Sequence, residues 1–210
     1  MVRARSEQFG EHIEAFPTDF TKVLVRYNPE GDEETNRAQS DRLKRLSDWL
    51  RERDRKFLFE LLVPGEDHQL ESVDGDEDRY DNELRPELMR RAIAELQDAG
   101  IEVDIWKIEG LSDRADCEAI VEQCRSGGRD NVACVVLGRG ADDEQVEQWL
   151  TQGAPVEGYV GFAIGRSIWG DALKGFIDGS LGREEAAGQI AEKYLRFASV
   201  YQESQQLSVP

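Results

Sequence analysis

Short, almost continuously apolar runs alternate with longer amphipathic segments along most of this chain. The apolar runs have the length of strands, and the longer segments repeat apolar residues at helical spacing. Strands that are apolar on both faces are typical of parallel sheets covered by helices. The alternation therefore predicts an α/β protein built around a parallel sheet.

Five strands and six main helices follow from this pattern. The predicted strands are 22–28, 56–64, 101–110, 131–137 and 158–164. The predicted helices are 37–55, 85–99, 113–125, 142–151, 168–177 and 183–202. We expect a polar N-terminal segment with a short helix at 1–20, a single α/β domain at 21–203 and a polar tail at 204–210. The acidic, glycine-containing segment 65–82 is expected to be a loop, long enough to be functional.

The charge of the chain argues against several classes of partner. The net charge is -18, which disfavours binding to nucleic acid or to an anionic membrane. No run approaches the roughly 18 apolar residues of a membrane-spanning helix, and the first ten residues contain no apolar signal core. A cytoplasmic location is therefore expected. Only 6 of the 26 basic residues are lysines, a bias that salt adaptation and a GC-rich genome explain equally well.

The cysteines and histidines do not form a pattern typical of metal binding. The three cysteines, Cys117, Cys124 and Cys134, include no CxxC pair, and the chain has only two histidines. Two of the cysteines lie on a predicted helix and the third lies in a predicted strand. We therefore expect buried free thiols rather than a disulfide or a metal site.

Lys107 is the most unusual residue of the predicted sheet, because it lies in the middle of the short apolar run 103–110. Lysine is seldom buried without a partner, and an apolar environment favours the neutral amine. A neutral, fixed amine is a nucleophile toward carbonyl carbon, which is the chemistry of Schiff-base enzymes. The alternative is a strand-end lysine paired with Glu109, two residues further along the same face.

Two other charged residues belong to the same predicted sheet. Glu60 interrupts the apolar strand 57–64 and needs a cation or a proton when buried. Lys107 on the next strand is its natural partner, and a carboxylate beside a Schiff-base lysine moves protons; the alternative is a purely structural ion pair. Lys22, in the first strand, is either a second active-site amine or an ordinary strand-end lysine.

Two glycine–arginine turns follow the last two strands. Gly138, Arg139 and Gly140 form the first turn, and Gly165 and Arg166 form the second. Backbone amides at a helix N-terminus, together with an arginine, favour phosphate, although ordinary turns remain the alternative. Asn28 and Glu109 also lie at carboxyl ends of strands, where ligands bind in such folds, and are candidate substrate-binding residues.

Four segments of the chain resemble those of a known group of enzymes. Residues 22–28 (KVLVRYN), 59–61 (FEL), 103–109 (VDIWKIE) and 161–166 (GFAIGR) resemble late strands of class I tagatose-bisphosphate-type aldolases. The likeness is greatest to the aldolase-like domain fused behind 5-dehydro-2-deoxygluconokinase in bacterial inositol catabolism. It extends over roughly residues 10–202.

The resemblance implies a (β/α)8 barrel and a metal-independent lyase without a cofactor. It places Lys107 at the Schiff-base lysine, Glu60 at the acid/base glutamate and Lys22 at a second active-site lysine, and it places the two glycine–arginine turns in phosphate-binding loops. The implied reaction is retro-aldol cleavage of a phosphorylated keto sugar or keto sugar acid, such as 2-deoxy-5-keto-gluconate 6-phosphate.

The chain departs from that family in the number of its strands. Five predicted strands match the fourth to the eighth of the barrel, and five parallel strands do not close a barrel by themselves. We therefore expect a homo-oligomer or a partner chain that completes the barrel. Two other interpretations stay open. In the first, the chain is a non-catalytic phosphosugar-binding or regulatory module associated with a carbohydrate kinase. In the second, it is a truncated remnant.

Overall fold

The computed structural model describes residues 9–16 and 18–206 of the chain. Its centre is one sheet of five parallel strands that are neighbours in the order of the sequence. The strands are β1 (Phe20–Arg26), β2 (Lys56–Leu62), β3 (Ile105–Glu109), β4 (Ala133–Leu137) and β5 (Tyr159–Phe162). The predicted parallel α/β architecture is confirmed, and β1 and β5 form the two edges of the sheet.

Helices connect successive strands and continue after the last one. They are α1 (Phe9–Glu14), α2 (Glu33–Glu52), α3 (Asp67–Ser72), α4 (Glu77–Arg79), a π-helical turn (Tyr80–Leu84), α5 (Arg85–Asp98), α6 (Arg114–Arg125), α7 (Asp143–Gly153), α8 (Arg166–Asp178) and α9 (Arg183–Gln206). No helix in the described part of the chain is long and apolar enough to span a membrane.

One face of the sheet forms the main hydrophobic core. Side chains alternate between the two faces of a strand. The strand side chains on this face are buried against apolar residues of the helices. The buried strand residues on this face are Val25, Phe57, Phe59, Leu61, Trp106, Ile108, Cys134 and Val136. Their burial fixes the register of each strand, because a slip of one residue would move these side chains to the opposite face.

The opposite face carries the charged residues and is more exposed. We call it the open face and define it by Lys22, Leu24, Arg26, Leu58, Glu60, Leu62, Ile105 and Lys107. Leu24, in the middle of β1, is 47% exposed. An apolar strand residue with so much exposed surface shows that β1 lacks a cover on this side.

The expectation of an irregular loop at 65–82 was wrong for most of that segment. It contains α3, α4 and part of the π-helical turn, which pack over the carboxyl ends of β1 and β2. A capping box between Glu66 and Gln69 begins α3, and Val73 and Tyr80 are buried. The sequence pattern does not predict this packing, because the apolar residues of the segment are few and widely spaced among acidic ones.

Several boundaries differ from the predicted ones by a few residues. β1 begins two residues earlier than predicted, and α2 begins four residues earlier because Asp32 caps it by accepting from the Thr35 N–H. α9 extends to Gln206, so part of the expected polar tail is helical. Residues 207–210 of that tail and residues 1–8 of the N-terminal segment lie outside the described residues.

Candidate active site

Glu60 joins two lysines on the open face of the sheet. In the register of the strands, Leu24, Glu60 and Lys107 form one row across β1, β2 and β3. The Nζ of Lys107 lies 3.3 Å from Oε1 of Glu60. The Nζ of Lys22, two residues before Leu24 on β1, forms an ion pair with Oε2 of the same carboxylate. The structure thus brings together the three residues that the sequence assigns to catalysis.

The three side chains differ in their access to solvent. The exposed fraction is 7% for the Glu60 side chain, 15% for Lys107 and 46% for Lys22. The buried carboxylate is therefore compensated from both sides, as a buried charge requires. Two amines face one carboxylate, so the group has an excess of positive charge when both amines are protonated. Such an excess attracts an anionic ligand to the open face.

Arg139 belongs to a second cluster, at the carboxyl ends of β2, β3 and β4. Its Nη1 lies 2.5 Å from Oδ2 of Asp81, and its Nε lies 3.4 Å from Oε1 of Glu109. Arg85, only 2% exposed, donates to Asp81 and to the backbone carbonyl of Gly110 over 3.0 Å each. Two guanidinium groups and two carboxylates therefore neutralise each other here.

Glu109 is buried within this cluster rather than paired with Lys107. It accepts a hydrogen bond of 2.8 Å from the Val63 backbone N–H. Burial raises the pKa of the Glu109 carboxyl, while the charges of Arg85 and Arg139 and the Val63 hydrogen bond act in the opposite direction. The alternative reading of Lys107 as the partner of Glu109 is wrong, because Lys107 pairs with Glu60 instead.

A cavity of about 310 Å³ opens at the carboxyl ends of β1, β2 and β3. Its size falls in the lower range of small-molecule sites. Arg26 and Leu62 contribute to it from the end of the open face, and Glu109 and Arg139 contribute from the second cluster. Tyr80 closes one side, and its hydroxyl donates to the Val63 carbonyl over 3.0 Å.

The other glycine–arginine turn lies in a different environment. Gly165 precedes the first residue of α8, Arg166, which lines a separate cavity together with Gly140. Four acidic residues share that cavity, namely Asp142, Asp143, Glu144 and Asp171. Gly138 is closely packed, since a Cβ there would lie 2.9 Å from the side chain of Ile164. The assignment of phosphate to the two turns stays a prediction.

Asn28 is engaged in anchoring the acidic segment to the end of β1. Its side-chain amide donates to the Pro64 carbonyl over 2.8 Å and to Oε1 of Gln69 over 2.7 Å. Its Oδ1 accepts from the Glu30 N–H over 2.9 Å. Asn28 is buried, with an exposed fraction of 3%, so its hydrogen-bonding groups face the protein.

The sequence had not singled out Asp81, Arg85 or Tyr80. Asp81 and Tyr80 fall in the segment predicted to be a loop, and the sequence predicts Arg85 only as the first residue of a helix. The spacing of four residues between Asp81 and Arg85 is compatible with an ion pair along one helix face. The spacing alone does not show that this ion pair is buried. Within residues 9–16 and 18–206, no group of three His, Cys, Asp or Glu side chains is arranged to hold a metal ion.

The fold and the lysine–glutamate group define a parallel α/β protein with a candidate site on the open face of its sheet, next to a cavity at the carboxyl ends of the strands. Residues 3–205 match the family described as "Uncharacterized protein conserved in bacteria (DUF2090)". The chain belongs to this family. No curated protein matches the sequence.

Solved structures of class I aldolases share the fold. A Schiff-base-forming fructose-1,6-bisphosphate aldolase is 21% identical, with a TM-score of 0.54 over 78% of this chain and 58% of that one. An archaeal fructose 1,6-bisphosphate aldolase is 20% identical, with a TM-score of 0.54 over 78% of this chain and 57% of that one. An archaeal aldolase whose catalytic lysine carries a carbinolamine intermediate is 17% identical, with a TM-score of 0.57 over 91% of this chain and 61% of that one.

These similarities show that the five strands have the arrangement found in aldolase barrels. This chain spans about three-fifths of the length of those aldolases. A closed barrel of that type has eight strands, whereas the described sheet has five strands and two edges. The partial barrel expected from the sequence is therefore confirmed at the level of fold.

Proposed function

We propose that this protein is an aldolase-like lyase that forms a Schiff base through Lys107. The observation that carries the proposal is the 3.3 Å contact between Nζ of Lys107 and the carboxylate of Glu60 on the open face. A nucleophilic amine and a proton-transfer group within reach of each other are the two parts that imine chemistry needs. The fold shared with Schiff-base aldolases supports the same conclusion.

In the proposed reaction, the Lys107 ammonium first gives a proton to the Glu60 carboxylate across their 3.3 Å contact. The uncharged amine then adds to the ketone carbon of the substrate, and one of its protons moves to the ketone oxygen, so that a neutral carbinolamine forms. Glu60 donates a proton to the hydroxyl group, which leaves as water, so that a protonated imine forms. The carbon–carbon bond then breaks, and its electron pair moves into the imine to give an enamine. The Glu60 carboxylate takes the proton from the hydroxyl group of the departing carbon, which leaves as an aldehyde.

The last steps restore the enzyme. Glu60 returns its proton to the enamine carbon, and water hydrolyses the resulting imine to release the ketone product and free Lys107. The protonated imine accepts the electron pair of the broken bond, so this sequence of steps requires no metal. Lys22 holds the second oxygen of Glu60 and thereby orients the carboxylate toward Lys107.

We propose a phosphorylated keto sugar or keto sugar acid as the substrate. The excess positive charge of the Lys22, Glu60 and Lys107 group suits an anionic ligand. The resemblance to the kinase-fused aldolase-like domain suggests 2-deoxy-5-keto-gluconate 6-phosphate, which would yield dihydroxyacetone phosphate and malonate semialdehyde.

Borohydride trapping with dihydroxyacetone phosphate tests the Schiff base directly. Reduction of the imine makes the adduct permanent, and intact-mass and peptide analysis locate it. We expect the adduct on Lys107 in the wild type. In Glu60→Gln we expect adduct formation to slow by about 10²- to 10⁴-fold, the usual contribution of a positioned acid or base. Glu118→Gln, an exposed charge change on α6, serves as the control.

A second candidate function is a non-catalytic phosphosugar-binding or regulatory module associated with a carbohydrate kinase. The exposed position of Leu24, in the same row as Glu60 and Lys107, favours this candidate because water reaches the open face. Protection against heat by dihydroxyacetone phosphate, without any trapped adduct, would support the binding module over the lyase.

A further inference from the structure

Arg139 has little capacity left for a substrate phosphate. Its guanidinium faces Asp81 at 2.5 Å and Glu109 at 3.4 Å. A phosphate placed against it would meet two carboxylates as well as one cation, and their repulsion offsets the attraction. The cavity beside Arg166 is lined by four acidic residues and by Lys193, which pairs with Asp143, and it includes no residue of the open face.

Arg26 differs from Arg139 because no carboxylate of the described residues pairs with it. It differs from Arg166 because it lies on the open face, which also carries Lys107. It is the last residue of β1 and lies on the open face, on the same side of the strand as Lys22. Its side chain is exposed and has no hydrogen bond or ion pair to any residue in the described part of the chain. Its backbone carbonyl accepts from Nε2 of Gln39 over 3.2 Å, which helps to hold the end of the strand.

The register of the sheet relates Arg26 to the reactive lysine. Arg26 pairs with Leu62, two residues beyond the row that contains Glu60 and Lys107. Two residues of a strand span about 7 Å, and the two strand spacings from β1 to β3 add about 10 Å across the sheet, so the backbone positions of Arg26 and Lys107 are about 12 Å apart. Arginine and lysine side chains that extend from one face over such a separation can hold two ends of a single small molecule. The 310 Å³ cavity lies at this end of the face.

Three carboxylates, those of Glu77, Asp81 and Glu109, line the same cavity, but none of them pairs with Arg26. Glu109 is held by Arg139 and by the Val63 N–H, and Asp81 is held by Arg85 and Arg139. Glu77 is exposed at the rim, where solvent screens its charge. Arg26 therefore keeps its donors and its charge available for a ligand.

We propose that Arg26 binds the phosphate of the keto compound whose carbonyl carbon reacts with Lys107. This inference rests on the proposed lyase function and specifies its substrate as one with a phosphate at the Arg26 end of the cavity. A guanidinium donates two parallel hydrogen bonds to phosphate oxygens, and Arg26 has both donors available.

The test compares two probes that differ only in the phosphate. Borohydride trapping is measured against the concentration of dihydroxyacetone phosphate and of dihydroxyacetone, in the wild type, in Arg26→Gln and in Arg42→Gln. Arg42 is an exposed arginine of α2 and serves as the matched control. We expect the wild type and Arg42→Gln to favour the phosphorylated probe, and Arg26→Gln to lose about tenfold or more of that preference. The extent of trapping with dihydroxyacetone should be the same in the wild type, in Arg26→Gln and in Arg42→Gln. An unchanged preference in Arg26→Gln overturns the proposal.

Thermal shift by millimolar dihydroxyacetone phosphate separates this proposal from the lyase function. A shift in the wild type that disappears in Arg26→Gln, without any trapped adduct, supports Arg26 as the phosphate-binding residue and contradicts the Schiff base. A shift that is equal in the two proteins overturns the Arg26 proposal. Absence of any shift in the wild type overturns it as well.

Discussion

Glu60 and Lys107 lie directly opposite each other on neighbouring strands, with 3.3 Å between Oε1 and Nζ. Strand pairing places their Cα atoms side by side, so the contact follows from the register and not from a flexible approach of the side chains. The buried core residues of the other face hold that register, since Phe59, Leu61, Trp106 and Ile108 alternate with the pair. Core packing thus sets the geometry of the candidate site.

Replacing Lys107 with Met should abolish both turnover and the borohydride adduct, because methionine has no amine to form the imine. The fold should survive, since the Lys107 side chain lies at the more exposed face and Glu60 retains its ion pair with Lys22. Activity assays, trapping and circular dichroism check these outcomes. Lys174→Met, an exposed change on α8, should behave as the wild type. Residual turnover in Lys107→Met would refute the Schiff-base assignment.

Replacing Arg85 with Leu should reduce the free energy of unfolding by about 3 kcal/mol, the lower end of the cost of breaking a buried ion pair. The change removes the hydrogen bonds to Asp81 and to the Gly110 carbonyl from a site that is 2% exposed. Urea denaturation measures the loss.

Arg79→Leu is the matched control for Arg85. Arg79 belongs to the same segment and pairs with Glu83 and Asp74, but its side chain is 41% exposed. A surface pair contributes about 0–1 kcal/mol. Similar losses in the two variants would contradict the view that burial makes Arg85 important.

Glu30 should stabilise the acidic segment in a pH-dependent way. Hydrogen bonds from Arg91, Gln69 and His68 lower the pKa of its carboxyl from 4.5 to about 2. Because the folded pKa is the lower one, the contribution is complete above pH 4.5 and is lost as the pH falls toward 2. The difference in urea midpoint between the wild type and Glu30→Gln should be larger at pH 7 than at pH 3. A larger difference in urea midpoint at pH 3 than at pH 7 would contradict the lowered pKa of Glu30.

The chain should associate in solution through the edges of its sheet. Exposed large apolar residues lie in and just before β1 and along β5, α8 and α9; they are Phe16, Phe20, Leu24, Val160, Trp169, Leu173, Phe176, Ile177, Tyr194 and Leu195. Unpaired strand edges and apolar patches promote association, while a net charge of -18 opposes it. Salt screens that repulsion, so the mass from light scattering should exceed 23.8 kDa and rise from 0.1 M to 1 M NaCl.

A substitution at the most exposed of these residues tests whether the apolar surface drives the association. Ile177 is 74% exposed, and Ile177→Glu should lower the average mass. Gln189→Glu, which adds a charge at an exposed polar position of α9, should leave it unchanged. A mass of one copy for the wild type at every salt concentration would show that the edges do not promote self-association.

The fold and the main polar contact were predictable from local patterns. The alternation of apolar runs with amphipathic segments determined the parallel α/β architecture, and charged residues within apolar strands identified Glu60 and Lys107. Strand periodicity of two then placed them on one face. These inferences succeeded because each depends on neighbouring residues or on adjacent strands of a sheet whose order follows the sequence.

Only the tertiary structure decided which charges are available to a ligand. Arg139 meets Asp81, which lies 58 residues earlier in the chain, and Asn28 meets Gln69, 41 residues later. Sequence periodicity contains no information on such pairs, because the partners belong to different elements that folding brings together. The sequence by itself therefore determined the sheet and the lysine–glutamate pair on its open face. The packing of the π-helical turn onto the strand ends decided that Arg139 is neutralised by Asp81, whereas Arg26 lines the neighbouring cavity without an ion pair to any described residue.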